Sequence, residues 1–350
     1  MVIDGLNNRI KQTIEVKSPD DLKFDKNSSK LYIKSKDQIY TIDIGTNPKL
    51  SITNSFSVRA NGEMVLDPVR DLIYIYHKSY PSMDVIDANS GQLLKVIGTK
   101  EKSWGMSIDT VTNRMYVSNV GWLDNIIIDL SNGKSVGRLY LPADYPPASW
   151  MDHLNLRDYA DWFNRKILVH ENGKRVYIIY PFLQETTSSA VIDFTLGITD
   201  VTGLVGKLTG LNIPNISIRD FPFDWSTRHE QLAIYDSTSD ELISSIFING
   251  MAEMCLNPTN SKVYLHITPE NKIYILDTQG KIMESITVTG QLNSEAISGD
   301  RNIKIHIEDI PFPLNNNSRY GFEINSKLNK IYLTIEGKSQ DFLSIIDLNY

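Results

Sequence analysis

Between Met64 and Leu139 the chain carries one pattern twice. The first copy reads MVLDPVRDLIYIY and then MDVIDANSGQLLKVI; the second reads MSIDTVTNRMYVS and then NIIIDLSNGKSVGRL. Each copy runs through four short apolar-rich stretches broken by Asp, Asn and Gly, which is the mark of four strands joined by turns. Tyr74 and Tyr116 hold equivalent places, so the period is 116 − 74 = 42 residues. A four-stranded unit of this size cannot bury both of its faces alone. Copies must stack, and stacking around an axis gives a β-propeller.

The period extends in both directions. DDLKFDKNSSKLYIK puts Tyr32 another 42 residues before Tyr74, with QIYTIDI and LSITNSFSV as its third and fourth strands. KILVHENGKRVYIIY opens a fourth copy on Tyr177, for which SSAVIDF reads as the third strand. Clean copies follow on Tyr264 and Tyr332. The distance 264 − 177 = 87 is about two periods, so a worn fifth copy is expected between them, built from about 214–227 and QLAIYDSTSDELISSIFI. The last copy ends at FLSIIDLNY, one strand short, while RIKQTIEV near the N-terminus reads like the fourth strands GQLLKVI and KIMESITV. The expected fold is therefore all-β. It is a seven-bladed β-propeller of four-stranded antiparallel blades in a single domain over residues 1–350, closed by an N-terminal strand that completes the last blade. Segments at about 142–165 and 290–319 break the period and read as insertions.

The repeat resembles the YVTN-type β-propeller repeat, whose core is a hydrophobic-Asp-Pro-x-Thr-Asn-x-x-Tyr-Val-x-Asn run followed by Val-Ile-Asp-x-x-Thr-Gly. Met115-Tyr116-Val117-Ser118-Asn119 matches the core, and Val85-Ile86-Asp87 with Ser90-Gly91 matches the second half. The resemblance covers most of the chain and implies a fold rather than an activity, since such propellers serve in surface proteins, in periplasmic binding proteins and in a few enzymes. It implies an extracellular, cell-surface or periplasmic protein. The repeat residues themselves read as structural. The tyrosines pack between blades, and the aspartates that close the third strands (Asp43, Asp87, Asp129, Asp193, Asp236, Asp277 and Asp347) cap turns.

In a propeller the first strands line the central channel. The loops from fourth to first strand and from second to third strand emerge on one face. That face is expected to carry His77, Tyr80, Trp104, Asn119, Trp122, Trp150, Asp152, His153, Trp162 and His266, an aromatic-rich set of the kind that builds binding surfaces. His170, on a first strand, is expected to face the channel. The function this pattern supports is non-enzymatic recognition of a protein, glycan or small ligand through the loop face at the channel mouth. The alternative is a hydrolase or lyase with a channel-mouth His and carboxylate site, with or without a metal held by His77, His266 and Asp152. No catalytic residue is assigned, because the chain carries no phosphate loop, nucleophile elbow or His-Glu-x-x-His run.

Composition narrows the partners. The net charge of −7 argues against nucleic acid as the main partner. No apolar run reaches the roughly 18 residues of a membrane span. One cysteine, Cys255, allows neither an internal disulfide nor a cysteine zinc cluster. No cofactor and no metal site is indicated. No basic stretch followed by an apolar one marks a signal peptide in this chain.

Overall fold

A computed structural model describes residues 2–4, 9–45, 50–100, 103–119, 125–140, 166–182, 229–248, 252–267, 272–287, 321–335 and 342–348. Every regular element among them is a strand. A short antiparallel hairpin, β1 (Val2–Asp4) and β2 (Arg9–Gln12), precedes the repeats. Five four-stranded sheets follow. The first is β3 (Asp21–Asp25), β4 (Lys30–Ser35), β5 (Gln38–Asp43) and β6 (Ile52–Ser57). The second is β7 (Met64–Asp67), β8 (Leu72–Tyr76), β9 (Ser82–Asp87) and β10 (Leu93–Gly98). The third is β11 (Ser103–Asp109), β12 (Arg114–Asn119), β13 (Asn125–Asp129) and β14 (Lys134–Leu139). The fourth is β15 (Lys166–His170), β16 (Arg175–Phe182), β17 (His229–Asp236) and β18 (Leu242–Ile248). The fifth is β19 (Ala252–Asn257), β20 (Lys262–Ile267), β21 (Lys272–Leu276) and β22 (Ile282–Thr287). A three-stranded sheet, β23 (Gly321–Asn325), β24 (Lys330–Ile335) and β25 (Phe342–Asp347), comes last.

Each sheet is an antiparallel meander, and the first strands β3, β7, β11, β15, β19 and β23 lie side by side in succession. This is the blade arrangement of a β-propeller. The turn chemistry repeats with it. Asp25, Asp67, Asp109, Asn257 and Asn325 each end a first strand and accept backbone N–H groups two or three residues on. Each of these turns finishes in a left-handed residue: Ser29, Asp71, Asn113, Ser261 and Asn329. Asp and Asn side chains stand in for the missing ladder partners there, and Asx turns tolerate the positive φ. The third-strand aspartates cap in the same way: Asp87 takes the amides of Asn89 and Ser90, Asp129 that of Ser131, Asp236 those of Thr238 and Ser239, and Asp277 that of Gln279.

The repeat tyrosines Tyr32, Tyr74, Tyr116, Tyr177 and Tyr264 are all buried. They sit in cores formed between neighbouring blades. Tyr32 and Ile39 of the first sheet pack with Met64, Ile73 and Ile75 of the second, and Tyr74 and Met83 pack with Met115 and Ile126 of the third. Tyr177 and Leu232 meet Met254 and Leu265, and Tyr264 and Ile273 meet Phe322 and Ile331.

The blade number differs from the seven expected: among the described residues there are five four-stranded blades and the three-stranded sheet. The difference lies in the fourth blade. β16 pairs residue for residue with β17, from Arg175 opposite Asp236 to Phe182 opposite His229. QLAIYD is therefore the third strand of the Tyr177 blade, the place that SSAVIDF was expected to fill, and LISSIFI is its fourth. Residues 183–228, which separate the second and third strands of this blade in the chain, lie outside the described residues. Periodicity could not tell one blade from two here, because a segment of that length adds about one period. The closure also differs. β2 pairs with β1 in a separate hairpin, and among the described residues β25 is the outer strand of its sheet. Gln12 instead ties this hairpin to the first blade: its Oε1 accepts Leu50 N–H at 2.9 Å and its Nε2 donates to Leu50 O. The segments 142–165 and 290–319 lie outside the described residues.

Candidate functional site

The alternation of the first strands decides what the channel holds. One set of side chains, such as Met64, Met106, Met254 and Phe322, turns back into the core shared with the preceding blade. The other set turns towards the axis and the following blade. At the end where the loops between blades emerge, this second set is charged: Asp21 and Lys23 on β3, Glu63 just before β7, Lys166 on β15, Glu253 on β19 and Glu323 on β23.

These residues come from five different sheets and act on one another. Lys23 Nζ lies 3.2 Å from Asp21 Oδ1, and Asp21 Oδ2 accepts Met64 N–H at 2.7 Å, which joins the first blade to the second. Lys166 pairs with Glu253, joining the fourth blade to the fifth. Lys166 also acts electrostatically on Glu63 of the second blade and Glu323 of the last sheet. Lys23 acts on Glu323 in turn, which brings the first and last sheets to the same axis.

The electrostatics follow from crowding. Glu63 and Glu323 are exposed, but they sit on the inner wall of the ring, where surrounding protein removes much of the water that would stabilise a charge. That desolvation pushes both carboxyls above their ordinary value; at Glu63 the neighbouring Asp21 adds to the rise, and the nearby lysines only partly offset it. For Lys23 the order is reversed. Burial opposes its charge, but Asp21 and Glu63 together outweigh that and hold the ammonium above its usual value. Among the described residues, neither Glu63 nor Glu323 is held in an ion pair, whereas Asp21 and Glu253 are.

His266 joins this cluster from the second row of the fifth blade. It stands opposite Glu253 in the β19–β20 register, on the same face, with its ring 5.8 Å from that of Phe322. It is 5% exposed, and its Nε2 has no hydrogen-bond partner. Burial, with Lys166 nearby, lowers its pKa to about 4, so the imidazole is neutral at physiological pH. Cys255, two residues after Glu253, is buried, and burial pushes its thiol far up, which makes it inert.

A second polar group lies on the second blade at the same face. Arg59, in the loop before β7, makes a two-pronged contact with Asp84 at 2.9 and 3.0 Å, and His77 Nε2 lies 3.1 Å from Asp84 Oδ1. The buried Asp84 carboxyl would otherwise be raised by desolvation; the Arg59 and His77 hydrogen bonds outweigh this and lower it. The anchored His77 ring supports Tyr80 edge-on at 6.1 Å, and Tyr80 is left 66% exposed.

The structure thus sorts the expected site residues. His77 and Tyr80 sit together in the loop between β8 and β9. His266 is not in a loop but within β20, and it faces the charged cluster. Trp104 belongs to β11 and Asn119 ends β12, where Asn119 pairs with Ser103. Trp122, Trp150, Asp152, His153 and Trp162 lie outside the described residues. His77 is engaged by Asp84, and no group of three metal-binding side chains occurs among the described residues. His170 does not face the channel. It is buried at the strand end where other blades carry the turn-capping Asp or Asn, and Gly173 packs against its ring. Sequence reasoning missed the six charged channel residues. Their signal was present: alternate positions of apolar first strands hold Asp, Glu and Lys, which a strand buried on both faces does not tolerate unless those positions face a channel.

No protein-family model matches the chain, and no curated protein matches it. Among solved structures it is similar to the β-propeller domain of Cps50 (Swd1) from Myceliophteria thermophila. The identity is 11% and the TM-score 0.52, over 97% of this chain and 89% of that one. At that identity the likeness shows the fold alone, and the fold it shows is the β-propeller.

Proposed function

We propose that this protein is a non-enzymatic binding platform that recognises a protein, glycan or small ligand through its loop face at the channel mouth. The observation that carries this reading is the convergence of charged side chains from five sheets at the loop-face end of the channel, with Tyr80 displayed beside them on an anchored histidine. A solvated surface does not crowd carboxylates in this way, whereas a site that recognises a ligand gathers its polar groups at one concave place. The resemblance of the repeat to propellers of surface and periplasmic proteins supports a place outside the cytoplasm.

The test is a screen of the wild-type protein on glycan and peptide arrays, followed by Tyr80→Ala and His77→Ala in one chain. Tyr80 is exposed, and Asp84 keeps its Arg59 partner when His77 is removed, so the melting temperature should stay close to wild type. Binding of any ligand the wild type retains should fall about tenfold or more, the loss typical of an aromatic hot spot. Undiminished binding, or a ligand mapped to the opposite face near the Asp25–Ser29 turn, would overturn the proposal.

A further inference from the structure

We propose that the group built on Asp84 is a seat for an acidic sugar, a pyranose ring bearing a carboxylate, held by Arg59, His77 and Tyr80; this rests on the loop-face reading above. Direct contacts bring the group together. Arg59 Nη2 and His77 Nε2 meet the same oxygen, Asp84 Oδ1, at 3.0 and 3.1 Å, while Arg59 Nε holds Oδ2 at 2.9 Å. The Tyr80 ring stands 6.1 Å from that of His77. The two loops that carry these residues are tied to each other. Gly62 N–H bonds Tyr76 O, and Lys78 N–H bonds Asn61 Oδ1, both at 2.9 Å. Thr99 N–H fastens Pro81 O from the next loop, also at 2.9 Å.

The repeat itself does not require this group. Three residues before the end of its third strand, the second blade has Asp84 where the other sheets have Tyr40, Ile126, Ala233, Tyr274 and Ser344. Asp84 stands opposite Ile75, on the sheet face that packs into the apolar core shared with the first blade. A carboxylate buried there is costly unless it is paired. What it achieves is to fix Arg59, whose side chain is still 58% exposed. The Nε–Nη2 edge of the guanidinium rests on Asp84, and among the described residues Nη1 has no partner. A planar, anchored guanidinium with an open edge matches an incoming carboxylate. Desolvation works against the Asp84 charge, but the bonds from Arg59 and His77 outweigh it, so Asp84 is an acceptor. His77 must then donate from Nε2, and the neutral ring keeps Nδ1 as an acceptor for a sugar hydroxyl. Tyr80 is exposed and offers an apolar ring face to the C–H side of a pyranose. An acidic peptide is a poorer fit, because its side chain brings neither a ring for Tyr80 nor a hydroxyl for His77.

The full chain is titrated by NMR with methyl β-D-glucuronide and with methyl β-D-glucoside, which has a hydroxymethyl group in place of the carboxylate. N-acetyl-glutamate amide supplies the charge without the ring. The glucuronide should bind about tenfold more tightly than either control, the worth of one good charge-assisted pair. A hyaluronan tetrasaccharide separates the two sources of such a ring: tighter binding than the glucuronide identifies a glycan, and equal binding a free sugar. Arg59→Lys keeps a cation for Asp84 but loses the fork, so the glucuronide should weaken about tenfold. If that variant does not fold, Arg59→Met with Asp84→Ile removes both charges together and should abolish the preference for glucuronide over glucoside. Equal affinity for glucuronide and glucoside, tighter binding of the glutamate amide, or an affinity indifferent to Arg59 would overturn the inference. An array ligand lost on Tyr80 and His77 substitution but untouched by Arg59→Lys would sink the acidic-sugar seat and leave the platform standing. Glucuronide binding that depends on Arg59, with every array ligand mapped to the opposite face, would do the reverse.

Discussion

At the scale of single residues, His266 and Glu63 make opposite statements about pH. His266 has a folded pKa of about 4, below its ordinary 6.5. A depressed histidine contributes stability that is complete above 6.5 and is lost as pH falls from there through about 4. Its ring carbons, followed by NMR and assigned with the His266→Asn variant, should titrate near 4; a midpoint near 6.5 would mean that the imidazole is not buried against Lys166. Glu63 is raised, so whatever stability it lends is present below the ordinary carboxylate value of 4.5 and is lost as pH climbs through the shifted one. Once ionised, the carboxylate is a cost. Glu63→Gln should therefore raise the melting temperature at pH 7, with the gain shrinking towards zero as pH approaches 4.5. A lower melting temperature at pH 7 would show the carboxylate to be well paired. Neither residue drew attention in the sequence for the right reason. His266 stood out only as a histidine near a loop, and Glu63 not at all, because one charged residue before a strand is ordinary. What marks it is the ring of neighbours that folding brings to it.

At the scale of elements, turns and strands were largely legible. The Asp and Asn residues at strand ends stand where the repeat put them, and the repeat tyrosines Tyr32, Tyr74, Tyr116, Tyr177 and Tyr264 are buried as expected. Gly91 shows how tightly one such turn is fixed. It closes the β9–β10 turn at φ 74°, its N–H bonds Asp87 O at 2.9 Å, and an added Cβ would come within 2.3 Å of the Phe56 ring on the preceding blade. Gly91→Ala should destabilise the protein by about 1–3 kcal/mol in chemical denaturation, from backbone strain and displacement of Phe56. Gly98→Ala on β10, where a Cβ meets nothing within 4 Å, should change stability by no more than about 0.5 kcal/mol. Equal effects at the two sites would contradict the packing of the first blade on the second. What the sequence did not disclose at this scale is the fourth blade. The strand QLAIYD fits either its own blade or the blade of Tyr177, and only the pairing of β16 with β17 decides between them.

At the scale of the whole molecule, the blade interfaces are unequal. Four of the first strands press an apolar residue into the preceding blade and bury it: Met64, Met106, Met254 and Phe322. The matching position on β3 is Leu22, which is 54% exposed, as is Phe24 two residues on. Among the described residues, the link between the first blade and the last sheet is the charge interaction of Lys23 with Glu323. Closure was the least legible part of the chain, because a strand that resembles a fourth strand carries no instruction about which sheet it joins, and RIKQ joins β1. The claim that these sheets form a ring around a charged mouth rests on Lys23 and Glu323 acting on each other although they lie 300 residues apart (323 − 23). The direct measurement is the titration of the Glu323 side-chain carboxyl by carbon NMR in the wild type and in Lys23→Met. Lys23 lowers that pKa in the folded protein, so its removal should move the midpoint, already above the ordinary carboxylate value, upwards again. An unchanged midpoint would mean that the first and last sheets do not share an axis, and the channel mouth would fall with them.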